Sequence, residues 1–160
     1  MSRAFVKEQD GEGPDELPDL PQSPHPNLVT RSGLAQLHQR LAQAEAGLAA
    51  IDADAVGGRL ARAHLAREVR WLQARIAGAR LCQAPEHPVR VEFGVTVEFV
   101  DETGHHYRYR IVGEDEADPE HATISWVSPL ARALHHAQVG DELIWPRPSG
   151  DLRITILTLS

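Results

Sequence analysis

Apolar residues recur at alternating steps of three and four in two stretches of this chain, and no other feature restricts its fold as much. The first stretch is Leu34, Leu37, Leu41, Ala44, Leu48 and Ile51; the second is Leu65, Val69, Leu72, Ile76 and Ala79. A repeat averaging about 3.5 residues keeps one stripe of a helix apolar, the a and d seam of a coiled coil. Between the stretches lies DADAVGG, whose Asp and Gly residues favour a turn. Two seams joined by so short a link must pack antiparallel, so residues 28–83 are predicted to form a helical hairpin. Thr30 or Ser32 would cap the first helix. With ~22 residues per arm at ~1.5 Å each, the hairpin would span roughly 30 Å.

The flanks read differently. Residues 8–26, EQDGEGPDELPDLPQSPHP, combine acids, glycines and five prolines with few large apolar groups. Such a stretch buries too little surface to offset the entropy of ordering it, so residues 1–27 are expected to form a flexible acidic arm. On the other side, CQAPEHPVR carries two prolines and breaks the second helix, which makes residues 84–90 a linker. Residues 91–160 then alternate with the period of strands. Val95, Val97 and Phe99 share one face, as do Tyr107, Tyr109 and Ile111, with DETG as a hairpin turn between the two runs. ATISW, DELIW and LRITILTL supply three more strands, the last two joined across PRPSGD. After ATISW, Ser128 is suited to cap a short helix with Pro129 at its first position, and Leu130 and Leu134 would dock it on the sheet. The fold class is therefore α+β: an antiparallel helical hairpin followed by a small antiparallel sheet with one short helix.

Composition limits what this architecture can do. The net charge of −7 is uneven: residues 1–30 sum to −4, 31–83 to +4 and 84–160 to −7. An acidic C-terminal part argues against nonspecific duplex binding there, since phosphate neutralisation needs clustered basic residues. The arginines Arg59, Arg62, Arg67, Arg70, Arg75 and Arg80 could meet an acidic wall or RNA, or could simply solvate the hairpin. No apolar run approaches the ~20 residues of a membrane span, and MSRAFVKEQDGEG lacks the apolar centre of a secretory signal. One cysteine, Cys82, excludes an internal disulfide and multi-cysteine zinc sites, so the cytoplasm is expected. Of nine histidines, His105-His106 and His135-His136 are adjacent, where side chains diverge on strand or helix alike, so no metal site is expected in the free protein.

Several stretches together resemble the GreA/GreB family of bacterial transcript-cleavage factors. They are VTRSGLAQLHQRL and REVRWLQARI in the hairpin, and FGVTVEF, YRIVGEDEAD, ISWVSPLARAL and VGDEL beyond it. The resemblance covers about residues 27–160 in order, and MSRAFVKE is similar to the start of a GreB-like subgroup. It implies a coiled coil that enters the secondary channel of RNA polymerase and an FKBP-like domain, residues 91–160, that grips the channel rim. It implies Trp126, Ser128, Pro129 and Arg132 as the polymerase-binding surface. Ser128 and Pro129 could equally do no more than start the helix, and Trp126 could face the core. The resemblance also implies a monomer with no cofactor of its own, which places acidic tip residues beside a Mg²⁺ shared at the polymerase active site, with indirect contact to nascent RNA.

This sequence departs from the family pattern at the tip. The family carries an Asp and a Glu within Leu-Gly-Asp-x-x-Glu-Asn-Ala, on longer arms. Here Ile51-Asp52-Ala53 falls on the Glu-Asn-Ala portion, Asp54 matches a following acid, and the block with the first Asp is missing. Asp52 and Asp54 are the remaining tip candidates, for contact with Mg²⁺ or basic groups, or for shaping the turn and capping the second helix. A loss of eight residues per arm would move the tip ~12 Å. Weakened or absent cleavage is therefore expected, with the chain acting as a regulator or competitor of Gre factors and not as an enzyme itself. An Rnk-like interaction module and a prolyl isomerase are the alternatives.

Overall fold

A computed structural model of the chain describes residues 16–52 and 54–160. The first half of the acidic arm, residues 1–15, and Ala53 at the turn lie outside the described residues. The chain divides into two compact units, one of residues 23–38 with 75–160, the other of 39–74 with the segment up to 22.

The hairpin helices are α1, Arg31–Ala50, and α2, Gly58–Ala77, preceded by a short strand β1, Asn27–Val29. Thr30 proves to be the cap of α1. Its hydroxyl accepts the Gly33 N–H at 2.9 Å, satisfying one donor the first turn leaves over, and its carbonyl accepts the Leu34 N–H at 2.9 Å, the first bond of the helix itself. Along the seams, Leu37, Ala44, Val69 and Leu72 are buried, while Leu34, Leu41, Leu48, Ile51, Leu65 and Ile76 are half-buried. The second seam ends sooner than its periodicity suggests. Gly78, a poor helix former, follows Ala77, and Ala79 lies in a strand β2, Ala79–Leu81. That strand pairs in parallel with β1, Asn27 opposite Ala79 and Val29 opposite Leu81. Asn27 also satisfies one carbonyl left over at the end of α2, donating from Nδ2 to the Arg75 oxygen at 2.8 Å. Cys82 follows β2 and is half-buried.

The remaining strands are β3 (Thr96–Asp101), β4 (His106–Val112), β5 (Thr123–Ser125), β6 (Glu142–Trp145) and β7 (Leu152–Leu159), in sheet order β5-β4-β3-β7-β6. β3 and β4 form the hairpin read from DETG, and β6 and β7 the one read from PRPSGD. The edge strand β5 runs parallel to β4, so the sheet is mixed at that edge. A tight turn cannot reverse the chain twice, and the connection from Gly113 to Ala122, with a 3-10 turn at Pro119–His121, makes the crossover. Strict alternation along β3 turns Val97 and Phe99 inward. They join Ile111, Ile124, Leu134, Ile154 and Ile156 in one continuous core, on which α3, Pro129–Leu134, docks through Leu130, Ala131 and Leu134. Asp101, the next inward residue, is buried too. Its carboxylate accepts from the Thr103 hydroxyl, the Thr103 and His105 backbone N–H groups and the Tyr107 hydroxyl, which hold its pKa far below the usual range despite desolvation.

Candidate partner-docking site

The junction between β5 and α3 is where four sequence candidates meet. Ser128 has extended backbone, and its hydroxyl accepts the Ala131 N–H at 3.2 Å; Pro129 stands in the first turn with no N–H to satisfy. Both residues start the helix, and Pro129 is nevertheless exposed. The helix turns Ala131 inward and leaves Arg132 exposed. Arg132 and Trp126 line one cavity of about 270 Å³, together with Leu28, Glu92, Phe93, Ile111, Ala131 and His135. Its lining combines apolar side chains with a cation, an acid and an imidazole, a mixture that ligand pockets commonly show.

Trp126 divides its contacts. Half-buried, it packs against the core cluster, and the His25 ring meets it edge-on with centroids 5.9 Å apart. Its indole N–H is buried without a hydrogen-bond acceptor, a costly state that buried Trp usually avoids. Neither Phe93 nor His135 was singled out from sequence as a site residue. The sequence treated His135 and His136 as diverging helical neighbours, but α3 ends at Leu134 and His136 takes a positive φ of 65°. The two rings consequently lie 3.7 Å apart. Partial desolvation of the otherwise exposed His135, followed by repulsion from His136, holds its pKa below the ordinary histidine value.

The acidic run after Gly113 is engaged within the same unit. Arg75 is buried and donates from Nε to Asp115 Oδ2 at 2.7 Å and from Nη2 to Asn27 Oδ1 at 2.7 Å. Glu114 Oε2 lies 3.9 Å from Arg75, a charge contact too long for a hydrogen bond. Glu116 accepts from the hydroxyls of Thr30 and Ser32, the cap region of α1. The RIVGEDE stretch thus fastens both helix ends that belong to this unit. Gly113 makes the approach feasible, because a Cβ there would overlap the carbonyl oxygen of Leu28.

At the turn of the helical unit, Asp52 and Asp54 are both exposed. Asp52 Oδ1 accepts the Asp54 N–H at 2.9 Å, an Asx turn, so Asp52 shapes the link. Asp54 stands four positions before α2 begins at Gly58. Among the described residues no group of three or more His, Cys, Asp or Glu is arranged to hold a metal ion, and no helix is long and apolar enough to cross a membrane.

The profile described as "Transcription elongation factor, GreA/GreB, C-term" matches residues 86–160, the stretch that carries the sheet, α3 and most of the cavity lining. Similarity to a transcription elongation factor GreB of Pseudomonas aeruginosa extends through the hairpin as well, at 33% identity over 141 residues, 78% of this chain and 84% of that one. The chain belongs to the GreA/GreB family. A GreB of Pseudomonas syringae pv. tomato is 42% identical over 86 residues, a match that spans 53% of this chain and only 55% of the relative. Among solved structures, GreA factor homolog 1 of Thermus thermophilus aligns with a TM-score of 0.41 at 22% identity, covering 85% of this chain and 99% of that one. Within this Gre-family chain, the helical hairpin and the β unit are the two parts read from its sequence.

Proposed function

We propose that this chain binds bacterial RNA polymerase and regulates elongation through the secondary channel, with the β unit docking on the channel rim. The cavity at the β5–α3 junction carries this reading. It gathers Trp126 and Arg132, with Ser128 and Pro129 alongside, on a member of a family whose relatives are named transcription elongation factors. A lining that mixes apolar side chains with Arg132, Glu92 and His135 suits a protein side chain flanked by charged groups. The chain would work in the cytoplasm as a monomer, altering the polymerase active site and having none of its own.

The tip argues for regulation more than for cleavage. The second oxygen of Asp52 and both of Asp54 are hard ligands suited to Mg²⁺, so the residues fit a cation held mainly by the polymerase. That Mg²⁺ would stabilise attacking and leaving oxygens in hydrolysis of backtracked RNA. Helices of 20 residues each, about 30 Å long, give the tip less reach than the longer family arms. Competition with longer Gre factors for the same channel follows.

Two measurements test this. Pro129→Ala and Arg132→Ala should weaken polymerase binding without lowering the melting temperature; a lower melting temperature with unchanged affinity would overturn the docking surface. In a backtracked elongation complex, the chain should suppress cleavage stimulated by a full-length Gre factor. Undisturbed stimulation at saturating concentration of this protein would rule out a shared channel.

A further inference from the structure

The second half of the acidic arm does not hang free of the helical unit. Residues 16–22 contain neither helix nor strand, yet they lie along α2 through three hydrogen bonds. Arg70 donates from Nε to Asp19 Oδ1 at 2.7 Å and from Nη2 to the Leu17 carbonyl at 2.9 Å. The Trp71 indole N–H donates to the Pro21 carbonyl at 3.2 Å. Leu20 lines a cavity of about 400 Å³ together with Arg40, Leu65, Arg67, Glu68 and Trp71.

This is sequence-selective chemistry. A guanidinium fork takes one carboxylate and one carbonyl at a fixed separation. An indole N–H takes a prolyl carbonyl, the contact by which aromatic surfaces read proline-rich segments. Pro18 and Pro21 lack N–H groups, so the segment has two fewer backbone donors to satisfy by lying there. The face also has donor capacity the arm leaves unused, since Arg67 Nε is buried on it without a hydrogen-bond acceptor.

The attachment is nevertheless weak. The Arg70 and Asp19 side chains remain 38% and 75% exposed, and an ion pair so open to solvent contributes little. What holds the arm is its covalent link, which supplies an effective concentration on the order of millimolar. A segment held that way can be displaced.

We propose that the Arg70–Trp71 face of α2 is a recognition surface for an extended, acidic, proline-containing peptide of a partner protein, and that residues 16–22 occupy it in cis until such a peptide displaces them. The reading is independent of polymerase docking. A labelled synthetic peptide with the sequence of residues 16–26 serves as the probe, titrated with full-length protein and followed by fluorescence anisotropy. Wild type should bind it weakly, because the cis segment competes. Full-length Asp19→Ala/Leu20→Ala should bind it at least about fivefold more tightly, the competitor having been loosened. Adding Arg70→Ala should abolish the gain, and an Asp19→Asn change in the peptide should weaken binding. The Trp71 indole N–H resonance should move in the loosened variant while helical circular dichroism stays constant. Equal affinity of wild type and loosened variant, or a gain that survives Arg70→Ala, would overturn the proposal. Should the double variant lose helix, Asp19→Asn in the full-length chain provides the same comparison.

Discussion

The β unit and the helical unit bury their apolar residues on different scales. In the β unit, Phe99, Val97, Ile154, Ile156 and Leu134 are almost fully enclosed and belong to one continuous cluster. In the helical unit the buried seam consists of Ala44, Ala63, Val69 and Leu72, two of them alanines, and Val56 and Leu60 near its turn are exposed. At ~25 cal/mol per Å² the first arrangement gains far more from water exclusion than the second. A thin seam leaves a hairpin dependent on polar fastening. In these two units that fastening takes two forms: a buried arginine network at the helix ends held by the β unit, and exposed pairs such as Arg40–Glu68 along the helices.

Substitutions can break this comparison, and Arg75→Ala should have the largest effect. It strips Asp115, Glu114 and Asn27 of their common partner inside the β unit, and removing one member of a buried charge pair costs about 3–5 kcal/mol. Arg40→Ala, in the exposed pair, should cost about 0–1 kcal/mol. Urea denaturation of both variants measures the contrast, and equal losses would mean that the arginine network is no special fastening. A smaller separation is expected between two glycines. Gly113→Ala drives a methyl into the Leu28 carbonyl and should destabilise by about 1–3 kcal/mol. Gly57→Ala, at φ 78° with nothing within 4 Å, should cost only the ~1–2 kcal/mol of left-handed backbone. Thermal melts rank the two.

The smallest effect concerns acid. Hydrogen bonds, led by that from the Thr103 hydroxyl, hold the Asp101 carboxyl far below the ordinary carboxylate range. Its folded pKa is thus lower than its unfolded one, so its contribution to stability is complete above about pH 4 and is lost as pH falls toward the folded value. Asp101→Asn should flatten the acid limb of a stability–pH curve for the β unit. An unchanged limb, or an Asp101 carbon resonance that titrates near pH 4, would contradict the assigned hydrogen bonding.

Features that repeat along the chain were legible before any coordinates. The seam spacing gave both helices, and the alternation of Val95, Val97 and Phe99 gave a strand whose inward face is the observed one. Ser128-Pro129 was legible as a helix start because capping is chemistry within four residues. Four site candidates were placed together at the β5–α3 junction by resemblance, but Phe93 and His135 carried no local signal that they line the same cavity. The acidic run after Gly113 could be read only as a charge pattern. Its partner, Arg75, stands 40 positions away.

The sequence by itself determined the helical hairpin, the strand faces and the family, since periodicity, caps and motifs are properties of neighbouring residues. Tertiary structure alone decided which distant segments meet: β1 with β2, β5 parallel to β4, Arg75 with Asp115, and Asp19 with Arg70 across 51 positions. Many acids and arginines in this chain are chemically interchangeable as partners. Only the geometry of the folded backbone, which sets which charge is desolvated beside which, selects among them.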